Sequence, residues 1–345
     1  MRWRRLAPTI LAVAFCVVAL GWVQASFDGL AGSDSYFHTR AAERIAAEGF
    51  ERRFEAAAFS TWSERYSDKD LLFHLWLIPF QSLSGGDLVA AGKAAMVGIY
   101  ALYFGVFAFC LHRLRARWPW VWVLLAFFAG SGVLNPLLTV RPGALGVVFV
   151  MLEVVWLAER RGRALAITVA LHALAHTSFA LVPGLWFAAA VAAWLRGERA
   201  WGRGALWGVA GLAAGFLVNP YVPNNFFIAW DQVVQVALGT WTGATTIPKG
   251  LFGAELLPAK TDSVLRLFPA WLPALAAAGV FAATRRSLSA KGLTLLTSAM
   301  LLLGPAFLSE RFFRFFFPVV ALAAARLWSE LAGDEEWACL LYTSP

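Results

Sequence analysis

The chain has 345 residues, 60% of them hydrophobic and only 14% charged, with a formal net charge of +8 and a mean hydropathy of +0.65. Long apolar runs recur along nearly all of it, which excludes an ordinary soluble domain and predicts an all-α, polytopic helical membrane protein of about ten transmembrane helices. The basic residues are spread over several short connections, which excludes a nucleic-acid-binding module and gives no nucleic acid as partner.

The predicted spans lie at roughly 6–25, 88–112, 119–136, 143–158, 164–178, 179–195, 205–221, 264–284, 292–309 and 312–329. Barrel strands are excluded because the runs are too long and alternate poorly. Arg2, Arg4 and Arg5 precede the first span. Val23-Gln24-Ala25 has the form of a signal-peptide cleavage site; the span is read as uncleaved because the many following spans need a start-transfer anchor.

Residues 26–87 form a long first extracytoplasmic loop that carries two interfacial helices. It opens on Gly32–Arg40, which sets Asp34, Tyr36, His38 and Arg40 at the mouth of a membrane helix. Polar groups at that depth need water, a substrate or a partner charge. A helix is expected from about Ser35 to Glu48, with Ser33 or Asp34 as N-cap and Gly49 as its stop. Phe37, Ala41 and Ile45 recur on one face of it. The second helix, about 70–84, is short for a span and contains Pro79.

Two Asp-x-x-x-His pairs stand in this loop, Asp34 with His38 and Asp70 with His74. On a helix that spacing puts both side chains on one face, close enough to orient each other or share a cation. A capping Asp34 and an amphipathic interfacial His74 are the bland alternatives. Asp68-Lys69-Asp70 is a weak match to a metal-binding Asp-x-Asp.

Beyond the loop, Arg113, Arg115 and Arg117 follow the second span, and Arg160, Arg161 and Arg163 the fourth. Arg196, Arg199 and Arg203 follow the sixth, and Arg285, Arg286 and Lys291 separate the eighth from the ninth. Every second connection is therefore short and basic, which assigns that side and the amino terminus to the cytoplasm of a bacterial-type inner membrane.

The unusual polar groups fall on the other side. Lys93 lies about two turns into the second span, Arg141 opens the fourth, and His172 and His176 lie one turn apart in the fifth. Two imidazoles at that spacing can bind a metal, but no third ligand stands nearby in sequence. Glu153, deeper in the fourth span, is read as paired with a neighbour. Residues 219–262 form a second large extracytoplasmic loop, with Trp230, Trp241 and the apolar positions of 226–238 expected to lie on the membrane and cover the site. Glu310, Arg311 and Arg314 begin the last span. External carboxylates beside external arginines suit a phosphate-bearing substrate at the outer leaflet.

Of the three cysteines, Cys16 and Cys110 fall in spans as small hydrophobes. Cys339 opens the tail 339–345, which reads as a translated sequencing-library adapter; on that reading the native domain is 1–338 and the natural chain continues past about Ala338.

The order of a basic amino terminus, one span, an external loop opening on Asp, two interfacial helices and then many spans resembles the GT-C superfamily of membrane glycosyltransferases. That superfamily includes oligosaccharyltransferase catalytic subunits, protein O-mannosyltransferases and aminoarabinose transferases. The similarity is carried by Asp34–Ile45 and Asp68–Phe80, more weakly by Val140–Pro142 and Glu310–Pro318. The Trp-Trp-Asp-Tyr-Gly acceptor motif of oligosaccharyltransferases is absent from the sequence.

The resemblance implies an inverting transfer from a polyprenyl-phosphate-linked sugar, at the extracytoplasmic face, to a glycan, lipid or protein acceptor of the cell envelope. By position Asp34 matches the loop carboxylate that acts as base or helps hold a metal, with His38 as a second catalytic candidate. Arg311 and Arg314, with Arg141, would stabilise the leaving phosphate. His74 and His176 would complete the site, and Arg40 and Lys93 are further substrate-contact candidates. Asp68 and Asp70 are candidate ligands for a divalent cation, magnesium or manganese. Two other classes remain open on the residues: a transporter or flippase of lipid-linked or small solutes using the same mouth, and a non-catalytic scaffold.

Overall fold

The structure is a computed structural model and describes residues 2–129, 134, 137–198, 202–235, 260–261, 272, 275, 278–279, 282 and 288–332. The expected span at 264–284, Trp241 and the rest of the loop to 262, Arg199, and the 339–345 tail lie largely or wholly outside the described residues.

The described chain is all-helical in its regular elements. In order these are α1 Arg2–Ala25, α2 Ser33–Glu48, α3 Leu71–Leu83, α4 Leu88–Arg113, α5 Pro119–Phe128 and α6 Gly143–Ala158. They continue with α7 Gly162–Ala175, α8 Val182–Leu195, α9 Gly202–Val218, α10 Asn224–Ala229, α11 Ala290–Leu308 and α12 Phe313–Ala332. Among the described residues five helices are long and apolar enough to cross a membrane, and five shorter apolar helices of 10–17 residues accompany them. The chain is a polytopic helical membrane protein.

Buried α6 is the hub. Almost every residue from Gly143 to Ala158 is buried, and the helix touches α4, α7, α8, α11 and α12. Close approach of backbones does in lipid what hydrophobic burial does in water. Gly211 and Gly215 of α9 show it: a Cβ at either would collide with the Ala166 or Ala170 carbonyl of α7. Caps fix the ends. Asp87 Oδ1 accepts from Val89 N and Ala90 N at 2.9 and 3.0 Å to start α4, and Ser289 Oγ accepts from Gly292 N at 3.0 Å to start α11.

Three boundaries correct the sequence reading. Helix α2 is capped by Gly32, at φ 78°, without a side-chain cap bond, so neither Ser33 nor Asp34 is the N-cap. Asp34 sits instead in the first turn, where a carboxylate still meets the positive end of the helix dipole. The span expected to continue to 178 stops at Ala175, because His176 is extended (φ −167°, ψ 145°) and a 3₁₀ turn, Thr177–Leu181, leads into α8. The segment expected at 226–238 is a short α10 followed by a π turn, Trp230–Gln235.

The loop between α2 and α3 folds against the start of the second loop. Asn224 Nδ2 donates to the Tyr66 carbonyl at 3.0 Å and Arg52 Nη2 to the Pro220 carbonyl at 3.1 Å. Tyr66 meets Tyr221 edge-on at 5.8 Å between ring centroids. The two loops form one wall beside the polar cluster described next.

Candidate functional site

The entry to α2 is stitched to the entry of α6. Ser35 Oγ donates to the Ala31 carbonyl at 2.5 Å and accepts from Val140 N at 2.9 Å, and Ala31 forms a bridge with Thr139. This brings Arg141 to Asp34, Nη2 to Oδ2 at 2.6 Å. The pair is partly open, with the Asp34 side chain 54% exposed.

One turn further along α2, the side chains turn inward. Gln81 of α3 donates to the Thr39 carbonyl at 2.6 Å and locks α3 across α2. His38 then meets His74, Nδ1 to Nε2 at 2.8 Å, and His74 meets Asp68, Nδ1 to Oδ2 at 2.6 Å. Asp68 Oδ1 accepts from Asp70 N at 2.9 Å, which fixes the carboxylate plane. Asp68, His74 and His38 are all buried. They form an unbroken chain from a carboxylate through two imidazoles.

The pairings expected from spacing are therefore exchanged. Asp70 is the N-cap of α3 and gives its backbone carbonyl, not its carboxylate, to His74. Its side chain sits outside the helical face that the i, i+4 argument assumes, so Asp68 takes the imidazole. Asp34 likewise turns to Arg141 rather than to His38.

Electrostatics separate the chain's members. Burial opposes charge on His74, but Asp68 beside it outweighs burial and raises the imidazole above its ordinary value. Burial, and next the nearby His74, hold His38 well below its own. An added proton taken up by the pair settles on His74 rather than on His38. Burial pushes the Asp70 carboxyl up to about 6, with Lys69 pulling the other way. Its Oδ1 is buried without a partner.

The other candidates divide. Arg311 bears on the charge of Asp70, and Arg311 and Arg314 both bear on that of His176. A Cβ on Gly143 would collide with Arg314 Nη1, so that guanidinium reaches the start of α6, two residues from Arg141. Lys93 instead donates to the Phe27 carbonyl, and Arg40 pairs with Glu43 on the exposed face of α2. Neither bonds a member of the cluster.

Glu153 has the neighbour expected of it: its Oε1 lies 2.8 Å from His172 Nδ1. Lys69, Gly143, Gly146 and Ser178 gain places near the site that the sequence reading had not assigned. Gly143 and Gly146 are legible as a small-residue pair at i, i+3 on one helix face; Lys69 carries no signal of its own.

A magnesium or manganese ion needs several convergent oxygen ligands. Among the described residues no group of three His, Cys, Asp or Glu side chains is disposed to hold a metal ion. Both Asp68 oxygens are committed and Asp34 Oδ2 is held by Arg141. Among the described residues, Asp70 Oδ1 is the one candidate carboxylate oxygen buried without a partner, and these side chains as arranged do not by themselves complete a site for a resident cation. Two cavities open at the other, basic end of the helices, one lined by Arg160, Arg196, Arg203 and Trp186, the other by Arg113 and Lys291.

No protein-family model and no curated protein matches the chain. Its fold is nevertheless that of solved structures. The archaeal oligosaccharyltransferase AglB from Archaeoglobus fulgidus, in complex with an inhibitory peptide and a dolichol-phosphate, superposes with a TM-score of 0.67 at 12% identity, over 99% of this chain and 52% of that one. The apo form of the Archaeoglobus fulgidus oligosaccharyltransferase gives 0.70 at 14% identity over the same shares. The chain spans about half the length of the solved structures it matches. At such identities the likeness is one of fold alone.

Proposed function

We propose that this GT-C-fold protein is an inverting glycosyltransferase that works at the extracytoplasmic face, taking a sugar from a polyprenyl-phosphate donor and passing it to a cell-envelope acceptor. The observation that carries the reading is the buried Asp68–His74–His38 chain beside a partly open Asp34–Arg141 pair.

The protons of the chain are ordered outward from the carboxylate. Asp68 accepts from His74 Nδ1–H, His74 Nε2 accepts from His38 Nδ1–H, and His38 Nε2 is left with its lone pair. Among the described residues that atom makes no hydrogen bond, and it is not among the sealed polar atoms. It is a base within one helical turn of Asp34.

In the transfer, an acceptor hydroxyl or amide attacks the anomeric carbon from the face opposite the phosphate. The bond from that carbon to the phosphate oxygen breaks, and the phosphate leaves with the electron pair. The acceptor proton goes to His38 Nε2, while the proton of His38 Nδ1 passes to His74 Nε2. His74 becomes an imidazolium against Asp68, the state its environment favours. Asp34, held by Arg141, positions the acceptor, and Arg311 and Arg314 face the charge that grows on the phosphate.

The test is purified protein in lipid with radiolabelled polyprenyl-phosphate sugars and envelope acceptors. Label transfer that falls at least 100-fold in His38→Gln supports the reading, on the order expected for lost general-base catalysis. Movement of the lipid across the bilayer without transfer would establish a transporter, and neither activity would leave a scaffold.

A further inference from the structure

The cavity that Trp186 lines, at the basic end of the helices, takes no part in the reaction above. It lies among the end of α6, the starts of α7, α9 and α11, and the length of α8, with a volume of about 350 Å³. Ordinary ligand sites span roughly 300–1,000 Å³.

Its walls are aromatic and fixed by glycines. A Cβ on Gly162 would collide with Trp207, and one on Gly208 with Trp186, so each indole packs down on the backbone of a neighbouring helix. Trp156 Nε1 donates to Thr168 Oγ1 at 3.1 Å and holds a third indole in the wall. The cavity is also deep. Arg196 ends α8 and Trp186 lies ten residues before it, about 15 Å along the axis at about 1.5 Å per residue. That is about half the ~30 Å hydrocarbon thickness of a bilayer.

The mouth is basic and its charge is unbalanced. Arg160, Arg161, Arg196 and Arg203 line it, with Glu198 as the carboxylate among the described lining residues. Glu198 takes both Arg160 and Arg196. Arg161 shares Glu159 with Arg113 and Lys291. Arg203 is exposed and makes no ion pair or hydrogen bond among the described residues. Arg160 stands at φ 56°, a left-handed conformation that favours glycine, yet brings a guanidinium to the mouth.

An apolar slot under a basic mouth selects its ligand. A free phosphate would leave the indole-lined depth unfilled, and an alkyl chain alone would leave the surplus of guanidinium charge unanswered. An anionic phospholipid meets both demands. Exposed Trp194, Leu195 and Leu206, adjoining the cavity in α8 and α9, offer an apolar surface for the rest of its chains.

We propose that this cavity binds an anionic phospholipid from the leaflet on the basic side of the membrane. Arg203, with Arg160 and Arg196, holds the phosphate, and one acyl chain lies against Trp186 and Trp207. Glu198 competes with the phosphate for two of the three guanidinium groups and so weakens the binding. No described residue of this site belongs to the Asp68–His74–His38 chain.

The test is native mass spectrometry of the full chain, delipidated in neutral detergent and titrated with phosphatidylglycerol. Phosphatidylcholine, glycerophosphoglycerol and inorganic phosphate serve as comparison probes. Phosphatidylglycerol is expected to bind more tightly than phosphatidylcholine and to resist displacement by either soluble phosphate, an arm that needs no variant. Arg203→Gln is expected to weaken phosphatidylglycerol about fivefold, the worth of one basic residue beside an anionic headgroup. Glu198→Gln is expected to strengthen it, an opposite shift that damage to the fold would not produce. Arg163→Gln is the control, because Arg163 is equally exposed and unpaired among the described residues but does not line the cavity. Equal binding of phosphatidylcholine, or an Arg203→Gln variant that binds as the wild type does, overturns the proposal. Displacement by the soluble phosphates overturns it in favour of a free-anion site. Equal weakening by Arg163→Gln overturns it in favour of diffuse attraction to the leaflet.

Discussion

Asp68→Asn is the sharpest perturbation of the proposed relay, because it changes one heavy atom and reverses a proton. The asparagine carbonyl oxygen can still accept from Asp70 N, as Asp68 Oδ1 does at 2.9 Å. Its amide nitrogen then faces His74 Nδ1, where Asp68 Oδ2 accepts at 2.6 Å. Two donors cannot meet, so His74 moves its hydrogen to Nε2 and donates to His38 Nδ1. His38 must then carry its hydrogen on Nε2, and the base is gone although every heavy atom is in place. The loss of a charge-assisted bond costs about 1.5–3 kcal/mol of stability, while lost general-base catalysis lowers kcat by about 10²–10⁴-fold with KM little changed. Initial rates of labelled sugar transfer for Asp68→Asn, His38→Gln and the double variant make the assay. The relay requires the double variant to be no worse than His38→Gln, since both changes remove one base. In the wild type, a His74 already protonated cannot take the second proton. The rate should therefore fall as pH drops through a value above the ordinary 6.5 of imidazole. Rates for Asp68→Asn within threefold of wild type, or losses that simply multiply, would refute the reasoning.

Asp70→Asn should stabilise the protein at pH 7.5 by up to about 3 kcal/mol, the worth of moving a carboxyl from 3.8 to about 6. With a raised carboxyl the native state is favoured below pH 3.8 and loses that favour as pH rises through about 6, so the variant's gain in thermal unfolding in detergent should vanish near pH 4. Asp34→Asn should cut transfer while leaving thermal stability within about 1 kcal/mol, because its pair with Arg141 is half-exposed; a loss of assembly instead would make it a structural residue. Glu159 is contacted by Arg113, Arg161 and Lys291 while only 6% exposed itself. Glu159→Gln should therefore lower stability by about 1–3 kcal/mol, and an unchanged unfolding temperature would show the network to be idle.

Hydropathy alone made the helical membrane class legible, because no other fold closes backbone hydrogen bonds over such long apolar runs. Helix positions such as α2, α3 and α4 followed from periodicity and stop signals to within two residues. The partners of individual charges were not legible. Spacing offered Asp70 for His74 and Asp34 for His38, since local sequence specifies only which residues could share a face once both are helical. Tertiary packing decided otherwise. Crossing α3 over α2 through Gln81 and Thr39 put His38 against His74, and stitching Val140 to Ser35 carried Arg141 to Asp34. His176 shows the same division: the sequence placed it one turn from His172 on a continuous helix, whereas the structure breaks the helix there and turns Ser178 between the two rings. The residue types and their depth in the membrane belong to the sequence. Which nitrogen holds a proton depends on atoms 19 or 36 residues away, and only the folded chain brings those into contact.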